Sequence, residues 1–178
     1  SIDYTSIARE LKNEINNIAK AHKETLQHSN KKESLMILVL AKEREIPWCL
    51  QKYLQNETEL AAVALVGHGA TSGSAKGMTV QQQKIKLGEI KNAKYQVIIA
   101  TPVAEEGIDL PSCDLVILLN PPTSVQALVQ MRGRARKLQS RFLIFCREKL
   151  EIEQIKDLQI REENMIKAVR EICLNQNA

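Results

Sequence analysis

Aromatic side chains are nearly missing from this chain: two Phe, three Tyr and one Trp among 178 residues, 3% in all. A protein that grips single-stranded nucleic acid by stacking bases on rings needs more of them, so that mode of recognition is disfavoured. Cysteine is sparse too. Cys49, Cys113, Cys146 and Cys173 stand far apart with no C-x-x-C pair. That excludes a zinc knuckle or a thiol-redox motif and leaves buried free thiols in a reducing compartment as the simple expectation. No apolar run approaches the roughly 20 residues needed to span a bilayer, so no membrane partner is expected. The opening residues, with Asp3, Arg9 and Glu10 close together, lack the pattern of a secretory signal, and a cytoplasmic location is expected. A G-x-x-x-x-G-K-S/T phosphate loop is absent as well, which excludes a self-sufficient P-loop ATPase. Nor is there a uniform basic coat: 25 Lys and Arg face 21 Asp and Glu, a net charge of +4. Any nucleic-acid footprint must therefore come from local clustering.

What is present is an ordinary globular composition, 44% hydrophobic and 26% charged, at a length that fits one domain with a real core. Short apolar runs alternate with amphipathic stretches. That pattern predicts an α/β fold with a parallel sheet covered by helices on both faces. Strands are expected at 35–40, 60–66, 95–100, 115–119 and 141–146. Helices are expected at 6–28, 45–56, 80–93 and 123–131, and a long one from about 148 that is interrupted near Glu162-Glu163-Asn164. Residues 1–30 and 148–178 then read as helical extensions of a single domain, 1–178. The Gly- and Ser-rich stretch from Gly67 to Thr79 reads as a mobile or ligand-contacting loop.

Near the end of the central region, Gln130-Met131-Arg132-Gly133-Arg134-Ala135-Arg136-Lys137 sets four cations within six residues. Guanidinium groups are planar, permanently charged forks that match phosphate oxygens, so the cluster predicts a phosphoanion partner. In open α/β sheets ligands bind beyond the carboxyl ends of the strands. The segments leaving the strands near Ala41, Val66 and Ala100 share that edge, and one functional rim is expected there, with the arginines near the tip of the strand before Thr101. Ala100-Thr101-Pro102-Val103-Ala104-Glu105-Glu106-Gly107-Ile108-Asp109 leaves its strand with a hydroxyl, a glycine and three carboxylates. Thr101 would donate to a backbone phosphate, Gly107 would admit a ligand to the main chain, and Asp109 would accept from a ribose hydroxyl or orient an arginine.

The two segments together, A-T-x-x-x-E-E-G-aliphatic-D followed by Q-x-R/K-G-R-x-R, resemble motifs V and VI of superfamily-2 helicases, and within them the RIG-I-like receptor and Dicer group. The resemblance extends to Lys42-x-Arg44, to Gly67-His68-Gly69 and to Gly77-Met78-Thr79-Val80-Gln81-Gln82-Gln83, and covers most of residues 35–147. It implies a RecA-like fold: the second of two RecA-like lobes, binding ATP in the cleft against a first lobe and double-stranded RNA across both. By that resemblance Arg136 is the arginine finger, Arg134 its companion on the phosphates, and Gln130 positions the loop against ATP or its attacking water. Gly107 and Asp109 join the nucleotide site, while Lys42, Arg44, Gly67, His68, Gly69 and Thr101 line the RNA backbone. Generic members place three positions between these arginines where Arg134 and Arg136 are two apart, a spacing that fits the receptor and Dicer group and leaves both Arg136 and Lys137 as groups that can face the nucleotide. The D-E-x-D/H tetrad is absent, so Mg2+ and the phosphate cradle belong to the first lobe and the fragment alone is expected to be inactive as an ATPase.

Plainer readings stand beside these. His68 is otherwise a turn histidine, Lys42 and Arg44 are neutralised by Glu43 and Glu45 at a helix start, and Glu105, Glu106 and Asp109 are internal ion-pair partners of the arginines. The C-terminal helix either packs on its own lobe or begins an arm toward the partner lobe. A lobe of a branched-DNA remodelling helicase and a non-catalytic RNA sensor or scaffold are the rival functions. Antiviral sensing and small-RNA production both use such a lobe.

Overall fold

The computed structural model describes residues 4–27, 34–67, 77–102 and 109–175. In chain order they form α1 (Tyr4–Gln27), β1 (Ile37–Leu40), α2 (Glu45–Glu57), β2 (Ala62–Leu65), α3 (Val80–Lys91), β3 (Val97–Ala100), β4 (Leu115–Leu118), α4 (Val125–Arg132), β5 (Arg141–Ile144) and α5 (Lys149–Asn175). The five strands make one sheet in the order β2-β3-β1-β4-β5, parallel at every pairing. β1 is the central strand. Each of the four strands other than β5 is buried along its whole length, which is why the sequence shows unbroken apolar runs rather than alternation.

Alternate side chains serve opposite faces. Ile37, Val39, Val97, Ile99, Leu115 and Ile117 pack with Leu11 and Ile15 of α1 and Leu50 and Leu54 of α2. Leu38, Leu40, Ile98, Val116 and Leu118 pack on the other side with Ile90 of α3 and Met78. A smaller cluster of Leu128, Ile155 and Leu158 seats α5 on α4 and on Phe142 and Ile144 of the edge strand.

Local signals place the helix starts. Thr79 and Gln82 form a reciprocal capping box at α3: the Gln82 N–H donates to Thr79 Oγ1 at 3.2 Å and the Thr79 N–H to Gln82 Oε1 at 2.9 Å. Ser124 caps α4 by accepting from the Ala127 N–H at 3.1 Å.

Two expectations are corrected. α5 is continuous through Glu162-Glu163-Asn164; the acidic pair that suggested a break places Glu162 in the buried contact with α4, where it accepts a two-pronged bond from Arg132. None of the cysteines is in a disulfide, yet only Cys113 is buried; Cys146 is half-buried, and Cys49 and Cys173 are exposed. Both lie on helices, on faces that the sheet does not cover.

Candidate nucleotide rim and nucleic-acid interface

The helices return antiparallel to the strands, so the end of each helix lies at the amino edge of the sheet and its start at the carboxyl edge. This separates the site residues into two groups. Thr101 follows β3, Lys42 and Arg44 follow β1, and Gly67 follows β2: all four belong to the carboxyl edge. The arginine loop does not. The Cys113 N–H, just before β4, donates to the Arg134 carbonyl at 3.0 Å. Lys137 Nζ reaches the Ser34 carbonyl, ahead of β1, at 2.7 Å. Gln130, Arg134, Arg136 and Lys137 therefore lie at the amino edge, away from the tip of the strand before Thr101, and the single rim expected from the sequence is two rims. Four-residue strands at roughly 3.3 Å per residue hold them on the order of 10 Å apart. The cause is α4, which carries the chain back across the face before β5 begins.

At the amino edge the cluster resolves residue by residue. Arg132 is spent on Glu162 and holds α5 to α4 rather than facing a ligand. Gly133 ends α4 in a helical conformation, where an added Cβ would meet the Val129 and Gln130 carbonyls closely, at 3.1 and 3.3 Å. Arg134 is half-buried. Arg136 is exposed, with Nε donating to the Gly133 carbonyl at 2.5 Å. Lys137 is turned back onto Ser34 and Asp114, which leaves Arg136 as the outward cation of the pair. Asp109 comes to the same edge. Its nearest cation is Lys91, at 3.0 Å, not an arginine as expected. The Lys91 hydrogen bond holds its carboxyl below the usual range, and the charges of Arg134 and Arg136 add to the effect. Gln130 is exposed on the last turn of α4.

At the carboxyl edge an open cleft of about 870 Å³ is lined by both signs of charge, the cations Lys42, Arg44, Arg147 and Arg161 beside the carboxylates Glu43, Glu151 and Asp157. Thr101 is buried at its floor. Lys42 is exposed, and its N–H donates to Asn120 Oδ1 at 2.9 Å, so β4's exit loop fixes the turn that presents it. Asn120 also reaches Glu43 at 3.5 Å. Gly67 is buried at the end of β2, beside the start of α3, whose Gln83 donates to the Val66 carbonyl at 3.1 Å. His68, Gly69, Glu105, Glu106 and Gly107 lie outside the described residues. Sequence reasoning missed Asn120, Lys91 and Asp114. The Asn-Pro-Pro that follows β4 was the available signal for the first; Lys91 and Asp114 had none, because their partners are distant in sequence. Among the described residues no three His, Cys, Asp or Glu side chains gather as metal ligands, and no helix is long and apolar enough to cross a membrane.

A five-stranded parallel sheet in the order β2-β3-β1-β4-β5, covered by helices on both faces, is the architecture of a RecA-like lobe. The chain belongs to the helicase conserved C-terminal domain family, whose model matches residues 16–139. Its relatives include Protein Dicer of Schizosaccharomyces pombe, 40% identical over 117 residues, or 65% of this chain and 8% of that protein. Dicer-like protein 2 of Aspergillus terreus is 37% identical over 94 residues, 53% of this chain and 7% of that protein. The chain thus spans less than a tenth of the length of these relatives. The C-terminal domain of the DEAD-box protein Dbp5 shares the fold at a TM-score of 0.60 and 16% identity, covering 82% of this chain and 78% of that one. The Pyrococcus furiosus Hef helicase domain does so at 0.57 and 24%, covering 84% and 28%.

Proposed function

We propose that this chain is the second motor lobe of an ATP-dependent double-stranded-RNA helicase or translocase, with the nucleotide at its amino rim and RNA backbone at its carboxyl rim. The observation that carries the reading is the convergence of Asp109, Arg134 and the outward Arg136 on one edge. Arg136 is the arginine finger and Arg134 its companion on the phosphates, with Gln130 at the same edge positioning the loop. ATP and its Mg2+ are held by the first lobe of the parent protein, since this chain carries neither the phosphate loop nor the acidic tetrad. Closure of that lobe presents the γ-phosphoryl group to the arginines, which meet charge developing on its oxygens. The carboxyl cleft, with Lys42, Arg44 and Thr101, follows phosphates without reading sequence, and scarce aromatics favour duplex shape over stacked single strands. The two rims give the lobe a way to couple nucleotide state to RNA grip. The Dicer relatives tilt the choice between antiviral sensing and small-RNA production toward the second.

In the parent protein, Arg136→Ala is expected to lower RNA-stimulated ATP turnover by about 10³–10⁵ while duplex-RNA binding stays near wild type. Turnover close to wild type would remove Arg136 from the nucleotide site. Running the wild type with duplex RNA and with forked DNA in parallel separates the RNA reading from a branched-DNA enzyme, and absence of turnover with either supports the scaffold.

A further inference from the structure

The arginine loop is tied down by a carboxylate outside it. Asp114 sits just before β4, with its side chain 15% exposed. Its Oδ2 accepts from Lys137 Nζ at 2.8 Å and from the Met36 N–H at 2.7 Å. Its Oδ1 lies 3.8 Å from His22 Nδ1 of α1. The Asp114 N–H donates to the Met36 carbonyl at 2.7 Å, and its carbonyl accepts from the Arg141 N–H at 2.9 Å. One residue thereby joins the lead-in to β1, the first residue of β5 and the loop bearing Arg134 and Arg136. Lys137, 20% exposed, completes the tie through the Ser34 carbonyl.

The consequence concerns geometry rather than charge at the nucleotide. Lys137 is committed beneath the loop, so its neighbour Arg136 projects outward from a backbone that cannot slide along the sheet edge. A guanidinium that must meet developing charge loses about 10²-fold in rate when displaced by 1 Å. We infer that Asp114, acting through Lys137, is a positioning residue that holds the arginine loop in register for the transition state. The inference rests on the nucleotide reading above.

The test is steady-state ATP hydrolysis by the parent protein with saturating duplex RNA. Asp114→Asn keeps the shape of the side chain and removes its charge; Lys137→Met keeps most of the stem and removes the tie. Each is expected to lower kcat by about 10–100-fold with KM for ATP within about threefold of wild type. Each is then combined with Arg136→Ala. Positioning predicts that the second substitution adds almost nothing once Arg136 is gone, because the residues act as one unit. Equal losses with and without Arg136, or normal turnover in both single variants while Arg136→Ala is impaired, overturn the positioning role alone. Normal turnover in Arg136→Ala removes the nucleotide reading and this inference with it. Thermal melting accompanies each variant, and if Asp114→Asn does not fold, Lys137→Met carries the same cycle, since it leaves Asp114 its bond to the Met36 N–H.

Discussion

Glu89 shows how much a single half-buried carboxylate can be conditioned by its neighbours. Lys94, Lys86 and the Tyr95 hydroxyl all bond to it, and together they bring its pKa from an ordinary 4.5 down to about 2. Both lysines also lie over the Tyr95 ring, at 5.2 and 5.7 Å from its centre. Because the folded-state pKa is depressed, the carboxylate's contribution to stability is present above about pH 4.5 and lost as pH falls toward 2. Melting of wild type and Glu89→Gln should differ at pH 7, with the gap narrowing below about pH 4.5 and closing only as pH falls through about 2; a gap that does not narrow over that range would show that the carboxylate's charge is not what stabilises the turn. At this scale the sequence was a partial guide. It marked Arg132, Arg134, Arg136 and Lys137 as one phosphate-seeking group, yet Arg132 is taken by Glu162 and Lys137 by Asp114. Both acids lie outside the arginine segment, and nothing in that segment's composition reveals which of its cations have partners elsewhere.

At the scale of elements, strand position rather than strand composition sets what each apolar residue contributes. Leu38, on central β1, is fully buried between two neighbouring strands and two helical layers, whereas Leu143, on edge strand β5, is only half-buried. Leu38→Ala should cost about 2–5 kcal/mol. Leu143→Ala should cost roughly half as much or less, in proportion to the smaller area it removes from water. Denaturant unfolding of the two variants measures the difference, and equal losses would contradict the sheet order. The five strands and five helices were legible from periodicity, with strand ends one or two residues shorter than expected. The break expected in α5 was not there. Its first half is buried through Ile155, Leu158 and Glu162, while Met165, Ile166, Val169 and Ile172 beyond it are exposed. The heptad-like spacing runs through both halves, so a pattern alone could not tell the packed turns from the projecting ones.

For the molecule as a whole, the two rims make separable predictions about RNA and nucleotide. If the carboxyl cleft follows phosphates, duplex-RNA affinity should fall linearly with the logarithm of salt concentration. Lys42→Ala in the parent protein should then weaken binding to different duplex sequences alike and reduce the steepness of that line by about one. An unchanged slope would take Lys42 off the RNA track. The same substitution leaves the amino-rim arginines untouched, so turnover at saturating RNA tests whether the two ends are independent in chemistry though joined in motion.

Sequence by itself determined the class of fold and the groups on offer: unbroken apolar runs demand a sheet buried on both faces, and the clustered guanidinium groups are there to be read. Both are local properties, written in consecutive residues. Tertiary structure alone decided which cations face outward and at which end of the sheet they do so. That outcome depends on α4 running back across the sheet and on Asp114 and Glu162 arriving from elsewhere in the chain, and a contact between residues 23 or 30 positions apart leaves no mark on the sequence around either one.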